Sequence, residues 1–394
     1  MKTHTLLSSL VACLATGALT LPQVVVGAGL TPQEELGKKL FFDQRLSSPP
    51  GQACATCHAP TVGFTGPNPV VNQTTAAYPG AIHTRFGNRK PPSAAYGGAS
   101  PVLHFDQAEG GWVGGMFWDG RATGQRLGDP LAEQAQGPFL NPVEQNVADA
   151  RSLCTLVQGA DYAGLFQQVW GAGSLDCEQD PAGAFERIAR SVSAYEKSAE
   201  VNPFSSKYDA FLKGKVQLTP EEALGLGLFV GKGKCSACHI STPGPKGEPP
   251  LFTDFTYDNL GVPRNPANPF YGMPREINPA GVEWVDLGLG GYLKTAGHPR
   301  EVYEPELGKV KVPTLRNVDQ RPTPGFTRAY MHNGYFKSLE EVVHFYNTRD
   351  VGQWPKPEYA QNLNKDEMGN LGLTTEEEAA IVAFMKTLTD GYTP

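Results

Sequence analysis

The chain has 394 residues, a formal net charge of −7, and 45 glycines and 34 prolines. The mild negative balance excludes a nucleic-acid partner, which would need a basic face. Beyond the N-terminus no run approaches the ~20 apolar residues that cross a bilayer as a helix, so no membrane span is expected in the mature chain.

Residues 1–28 read as a secretory signal. Lys2 and His4 form a short polar start, an apolar run follows from Leu6 to Leu21, and Val26-Gly27-Ala28 is a small-residue cleavage site. Leu10-Val11-Ala12-Cys13 is similar to a lipoprotein cleavage box, but the apolar run continues past the cysteine, so lipidation is the weaker reading. Export to the periplasm is the expectation.

A first helix is predicted to open with Thr31 as N-cap, Pro32 at its first position and Glu34 closing a capping box. Leu36, Leu40 and Phe41 give it one inward stripe. Cys54-Ala-Thr-Cys57-His58 follows. This is the spacing of covalent c-type haem attachment: two thiols add to the haem vinyl groups, and the next imidazole is held under the iron. Zinc sites and redox pairs also use two cysteines at this spacing, but the directly following histidine selects haem. An amphipathic helix is expected over 180–200, with Phe185, Ile188, Ala189, Val192 and Tyr195 on its apolar side.

The chain then repeats itself. Leu30–Phe42 recurs as Leu218–Val230, with Thr219, Pro220 and Glu222 repeating the cap, and Cys235-Ser-Ala-Cys238-His239 follows. A third capped helix starts near Thr374 and runs through Leu388, placed to close the second unit against its first helix. The expected architecture is mainly α: two cytochrome c-like haem domains in tandem with long loops and few strands, 29–205 and 206–394. Cys154 and Cys177 are left over. In an oxidising compartment a disulfide is favoured, with two buried free thiols as the alternative.

Further segments carry a family likeness. They are Leu36-Gly-Lys-Lys-Leu-Phe-Phe-Asp-Gln-Arg-Leu-Ser47, Phe117-Trp-Asp-Gly-Arg-Ala122, Gln134-Ala-Gln-Gly-Pro-Phe-Leu-Asn-Pro-Val-Glu144, Val312-Pro-Thr-Leu-Arg-Asn-Val318, Tyr330-Met-His-Asn-Gly334 and Leu339-Glu-Glu-Val-Val343. In this order, with the two haem motifs, the chain resembles the bacterial di-haem cytochrome c peroxidase and MauG family over nearly all of its mature length. The resemblance implies that His58 is the proximal ligand of a peroxide-reactive haem and His239 that of a redox-partner haem. It implies that Glu144 is the distal acid–base carboxylate, Gln134 a polar residue and Pro138 a lining residue of the same pocket, and Trp118 the indole between the haems. A carboxylate suits that role because peroxide must lose a proton from one oxygen and gain one on the other.

The family's methionine ligand to the second iron lies fourteen residues after the histidine of the segment that here holds His332, which brings Tyr346 to that place. MauG-type members carry tyrosine there, and a phenolate favours ferric and higher states. Met331 is the runner-up, with His344 and His332 weaker; Met273 and Met368 are candidates by position alone. Neither His83 nor His104 matches the mobile histidine loop of reductively activated members. The family's inter-domain calcium would fall to the carbonyls of Thr327 and Ala329 with Asn88, but Lys90 takes the usual asparagine place and an ammonium opposes calcium. The surface tryptophan through which MauG oxidises a protein corresponds here to Gly233.

The resulting expectation is an exported di-haem oxidoreductase. It reduces hydrogen peroxide at the N-terminal haem with electrons relayed through the C-terminal haem, with MauG-like high-valent chemistry. The final reductant would be a small cytochrome or cupredoxin, or a protein substrate. The alternatives are a conventional cytochrome c peroxidase, a plain di-haem electron carrier and a redox sensor; the last would need a partner domain that is not visible.

Overall fold

The computed structural model describes residues 29–393; the signal-like segment lies outside them. The first half carries helices α1 (Pro32–Phe42), α2 (Cys54–Cys57), α3 (Pro69–Gln73), α4 (Pro130–Leu140), α5 (Ala150–Gln158), α6 (Ala163–Trp170) and α7 (Pro181–Lys197). The second carries α8 (Lys207–Leu212), α9 (Pro220–Val230), α10 (Gly288–Thr295), α11 (Arg300–Tyr303), α12 (Leu339–Thr348) and α13 (Thr375–Lys386). Strands are few and short. β1 (His104–Asp106) pairs antiparallel with β2 (Gly111–Val113), and β3 (Tyr257–Asp258) pairs antiparallel with β4 (Val310–Lys311).

The duplication is physical. Thr31 and Thr219 each accept a hydrogen bond from the third helical N–H, and the Glu34 and Glu222 carboxylates each accept one from the cap's own N–H. These boxes satisfy backbone groups that helix ends otherwise leave orphaned. Helix α1 packs on α7, and α9 packs on α13. At both crossings the contact point is a glycine at the same place in the repeated segment. A Cβ on Gly37 would lie 1.9 Å from the Ser191 carbonyl oxygen, and one on Gly225 would lie 1.9 Å from that of Ala380.

Leu36, Leu40 and Phe41 are fully buried at 0% exposure, as the stripe requires. They join an apolar core that runs to Val201, while a second core gathers Tyr208 to Leu388. A division at 205/206 is proposed on that ground. Cys154 on α5 and Cys177 are joined by a disulfide within the first core. The halves are stitched by buried polar contacts. Arg89 ion-pairs with Asp119 at 2.7 Å and with Asp286 at 2.6 Å, and Asp390 accepts from Tyr96 and Asn317.

Candidate functional site

Each Cys-x-x-Cys-His motif sits on a single tight turn that ends at the histidine. Cys54–Cys57 form α2, and His58 caps it with its N–H on the Cys54 carbonyl. Cys235–Ala237 form a 3-10 turn, and the His239 N–H likewise bonds the Cys235 carbonyl. One turn brings both thiols and the imidazole to one side of the chain.

The two imidazoles are oriented alike. His58 Nδ1 lies 3.1 Å from the Phe64 carbonyl, and His239 Nδ1 lies 2.8 Å from the Phe252 carbonyl. A carbonyl accepts, so Nδ1 carries the proton and Nε2 is left as a lone-pair donor, the arrangement of a ligating histidine. Both phenylalanines have positive φ, 55° and 54°, which turns their carbonyls onto the rings. Burial lowers both imidazole pKa values, His58 to about 4, so both rings are neutral at pH 7. Burial pushes the Cys57, Cys235 and Cys238 thiols up to about 12 and Cys54 higher still.

Glu144 follows the C-terminus of α4. Its N–H bonds the Asn141 carbonyl, and its own carbonyl accepts from the Ala81 N–H. Burial raises its carboxyl pKa, against the opposing pull of Arg121 and the Asn141 side chain. The carboxyl is near enough to the first motif to raise both Cys54 and Cys57. Gln134 and Pro138 lie on α4. That helix rests on Phe117: a Cβ on Gly137 would meet the ring at 2.9 Å, and Arg121 stacks on the same ring at 3.7 Å.

Trp118 is 8% exposed and is held at both ends. Its indole N–H donates to the Lys90 carbonyl at 2.9 Å, and its carbonyl accepts from the Lys311 N–H on β4 at 2.8 Å. The His332 ring meets the indole edge-on, with centroids 6.4 Å apart. Trp118 opens onto a cavity of about 240 Å³ with an apolar lining. Cys235, Cys238, His239, Tyr346 and Lys90 line the same cavity. Tyr346 reaches it from α12, and burial raises its hydroxyl pKa well above 10. Met331 and Met368 also line it. Cys54, Cys57, His58, Glu144 and Gln134 do not; they gather in the first half.

The residues fit a haem at the second motif. The cavity is apolar, the motif thiols and His239 open onto it, and two buried polar atoms on its lining residues, Arg328 Nε and His332 Nδ1, have no partner. Calcium fits poorly. The Thr327 carbonyl accepts from the Asn72 side chain at 3.0 Å, the Asn88 carbonyl accepts from Asn268 at 2.8 Å, and Lys90 and Arg328 bring positive charge to the same seam. His83 and His104 are exposed, and the His344 ring pairs with Glu378 at 3.1 Å. Gly233 is buried, and a Cβ there would meet the Leu228 carbonyl at 2.9 Å, so no tryptophan fits that place. Nothing local in the sequence marked Phe64, Phe252, Lys311 or Arg328; the two phenylalanines follow their motif histidines by 6 and 13 residues.

The family model described as di-haem cytochrome c peroxidase matches residues 31–217. The methylamine utilization protein MauG of Paracoccus denitrificans is 35% identical, over 96% of this chain and 95% of that protein. The cytochrome-c peroxidase IdrP2 of Denitromonas iodatirespirans is 28% identical, over 92% and 82%. Among solved structures, the diheme peroxidase BthA of Burkholderia thailandensis superposes with a TM-score of 0.76 at 32% identity, covering 92% of this chain and 87% of that one.

Proposed function

The chain belongs to the di-haem cytochrome c peroxidase and MauG family and is a peroxidase-type enzyme of two c-type haems, and from that premise we propose that it is exported and reduces peroxide at its first motif with electrons passed from its second. The observation that carries this reading is the half-buried Glu144 carboxyl, near enough to the first motif thiols to raise both. Bound at the two motifs, haem supplies an iron centre that exchanges single electrons, activates peroxide and, with an anionic ligand, holds oxidising equivalents.

The chain's own residues do the rest. His58 offers Nε2 from one side and leaves the other side to peroxide. Glu144 as carboxylate takes the proton from one peroxide oxygen and returns it to the other as the O–O bond parts. Two electrons and two further protons complete the conversion of one peroxide to two waters. Gln134 orients the peroxide from α4. Trp118 carries charge across the seam between the motifs.

Tyr346 would hold the iron of a haem at the second motif together with His239. Burial, with Cys238 and Asp258 adding to it against Arg349, holds its hydroxyl protonated, so a phenolate there would need a further cation, which a ferric centre would provide. Met331 and Met368 on the same cavity support a second reading, a conventional peroxidase with a methionine ligand. The reductant is a small cytochrome or cupredoxin, or a side chain of a partner protein. Buried Gly233 supports a route other than the tryptophan hop at that position.

Glu144→Gln tests the reading. The expected result is a peroxide reaction slowed by roughly 10²–10⁴-fold with both haems attached. An unchanged rate would remove Glu144 from the chemistry.

A further inference from the structure

Buried cations in this chain normally have carboxylate partners. Arg316 pairs with Asp209 at 2.9 Å, and Arg89 pairs with Asp119 and Asp286. Three cations on the cavity wall do not. Lys90 Nζ bonds only the Thr65 hydroxyl at 3.2 Å and the Pro91 carbonyl at 2.9 Å. Lys311 Nζ bonds the carbonyls of Gly114 at 2.9 Å and Phe255 at 3.3 Å. Arg328 donates Nη1 to the carbonyls of Val62 and Gln320, and its Nε has no partner. Lys311 is 9% exposed and Arg328 6%. None forms an ion pair among the described residues. Burying several unpaired like charges together is costly, so such a wall calls for an anion.

Carboxylates line the cavity as well. Asp258 and Glu367 line it, the Asn364 amide bridges them, and both raise the Cys238 thiol. The motif cysteines bond the vinyl edge of the porphyrin, and its two propionate carboxylates project from the opposite edge. With Cys235 and Cys238 holding the vinyl edge, the propionates are the anions this cavity would receive, and the three cations without ion pairs on its wall are the groups available to meet them. We propose that Lys90, Lys311 and Arg328 form the anion-binding edge that receives the propionates of the haem attached at Cys235 and Cys238, and that Lys90 thereby raises the potential of that haem. This rests on the two-haem reading above. Burial and the neighbouring guanidinium lower Lys90 to about 7, and burial lowers Lys311 to about 7; carboxylates beside them would hold both charged.

The test is a spectroelectrochemical titration of the holoprotein, after haem counting shows two haems per chain. Lys90→Met removes the charge and Lys90→Arg keeps it. A reduced haem is the more negative state, so loss of the cation should lower the second midpoint potential. One unit charge at ~10 Å and an effective dielectric constant of ~20 changes the oxidised-to-reduced ratio on the order of tenfold, a shift of about 59 mV for one electron. Lys90→Arg should stay at the wild-type value. Equal potentials in Lys90→Met and wild type, or equal shifts in both variants, would overturn the proposal. A haem count below two would instead sink the functional reading beneath it. Redox-difference infrared spectra of the wild-type holoprotein, with haem carboxylates isotopically labelled, need no variant. Ionised propionate bands at neutral pH are expected, and protonated ones would overturn the assignment.

Discussion

Burial lifts the Glu144 carboxyl above the usual glutamate range of ~4.3, and this determines how proton transfer there responds to pH. In the proposed mechanism the ionised form takes the peroxide proton. The second-order rate with peroxide should therefore fall as pH drops through a value above ~4.3, and Glu144→Gln should flatten that limb while lowering the plateau. A limb that persists in the variant would belong to another group. Tyr346 gives a second prediction. If Tyr346 is the ligand proposed, Tyr346→Met replaces a hard anionic donor by a thioether, which raises the second haem's potential. The measured midpoint should move positive, whereas an unmoved midpoint would point to Met331 or Met368 as the ligand already in use. At this scale the thiols and histidines were legible because haem attachment demands those residue types at that spacing. The carbonyls of Phe64 and Phe252 were not, because a backbone carbonyl orients an imidazole whatever side chain follows it.

The two helix pairs show what a duplication implies and what it hides. The caps at Thr31 and Thr219 could be read directly, since a capping box is local chemistry. The backbone contacts at Gly37 and Gly225 could not, since they depend on helices more than a hundred residues away along the chain. In an open helix Gly→Ala would stabilise by ~1 kcal/mol. Here the new methyl would sit 1.9 Å from a backbone oxygen, which cannot swing aside as a side chain can. Steric cost wins, and Gly225→Ala should lose ~1–3 kcal/mol by forcing α9 away from α13. Chemical denaturation of the holoprotein should show an earlier midpoint; an equal or later one would mean the crossing relaxes freely.

At the scale of the whole molecule, the main feature is a seam crossed by charge. The tandem helical architecture follows from the repeated helix-then-motif order, so the sequence conveyed it. The seam drew on Lys311, Asp286 and Arg328, which no local pattern marked. Burial alone would raise Asp119 and Asp286, but Arg89 overrides it and holds both below the ordinary carboxylate range. Removing it as Arg89→Met leaves two buried carboxylates without their shared partner, a loss of ~3–5 kcal/mol. Because carboxylates with depressed pKa values stabilise only above the unfolded value, the wild-type advantage should be full at neutral pH and shrink as pH falls below ~4. Parallel stability–pH curves for the two proteins would contradict that assignment.

The central claim joins both motifs through Trp118 and puts a phenolate at the second. It is tested most directly by adding one equivalent of hydrogen peroxide to the as-isolated diferric protein and recording visible and near-infrared spectra. The account predicts prompt loss of the ferric bands at both haems without prior reduction. A protein that stays silent until one haem is reduced would contradict it and would count against Tyr346 as the working ligand.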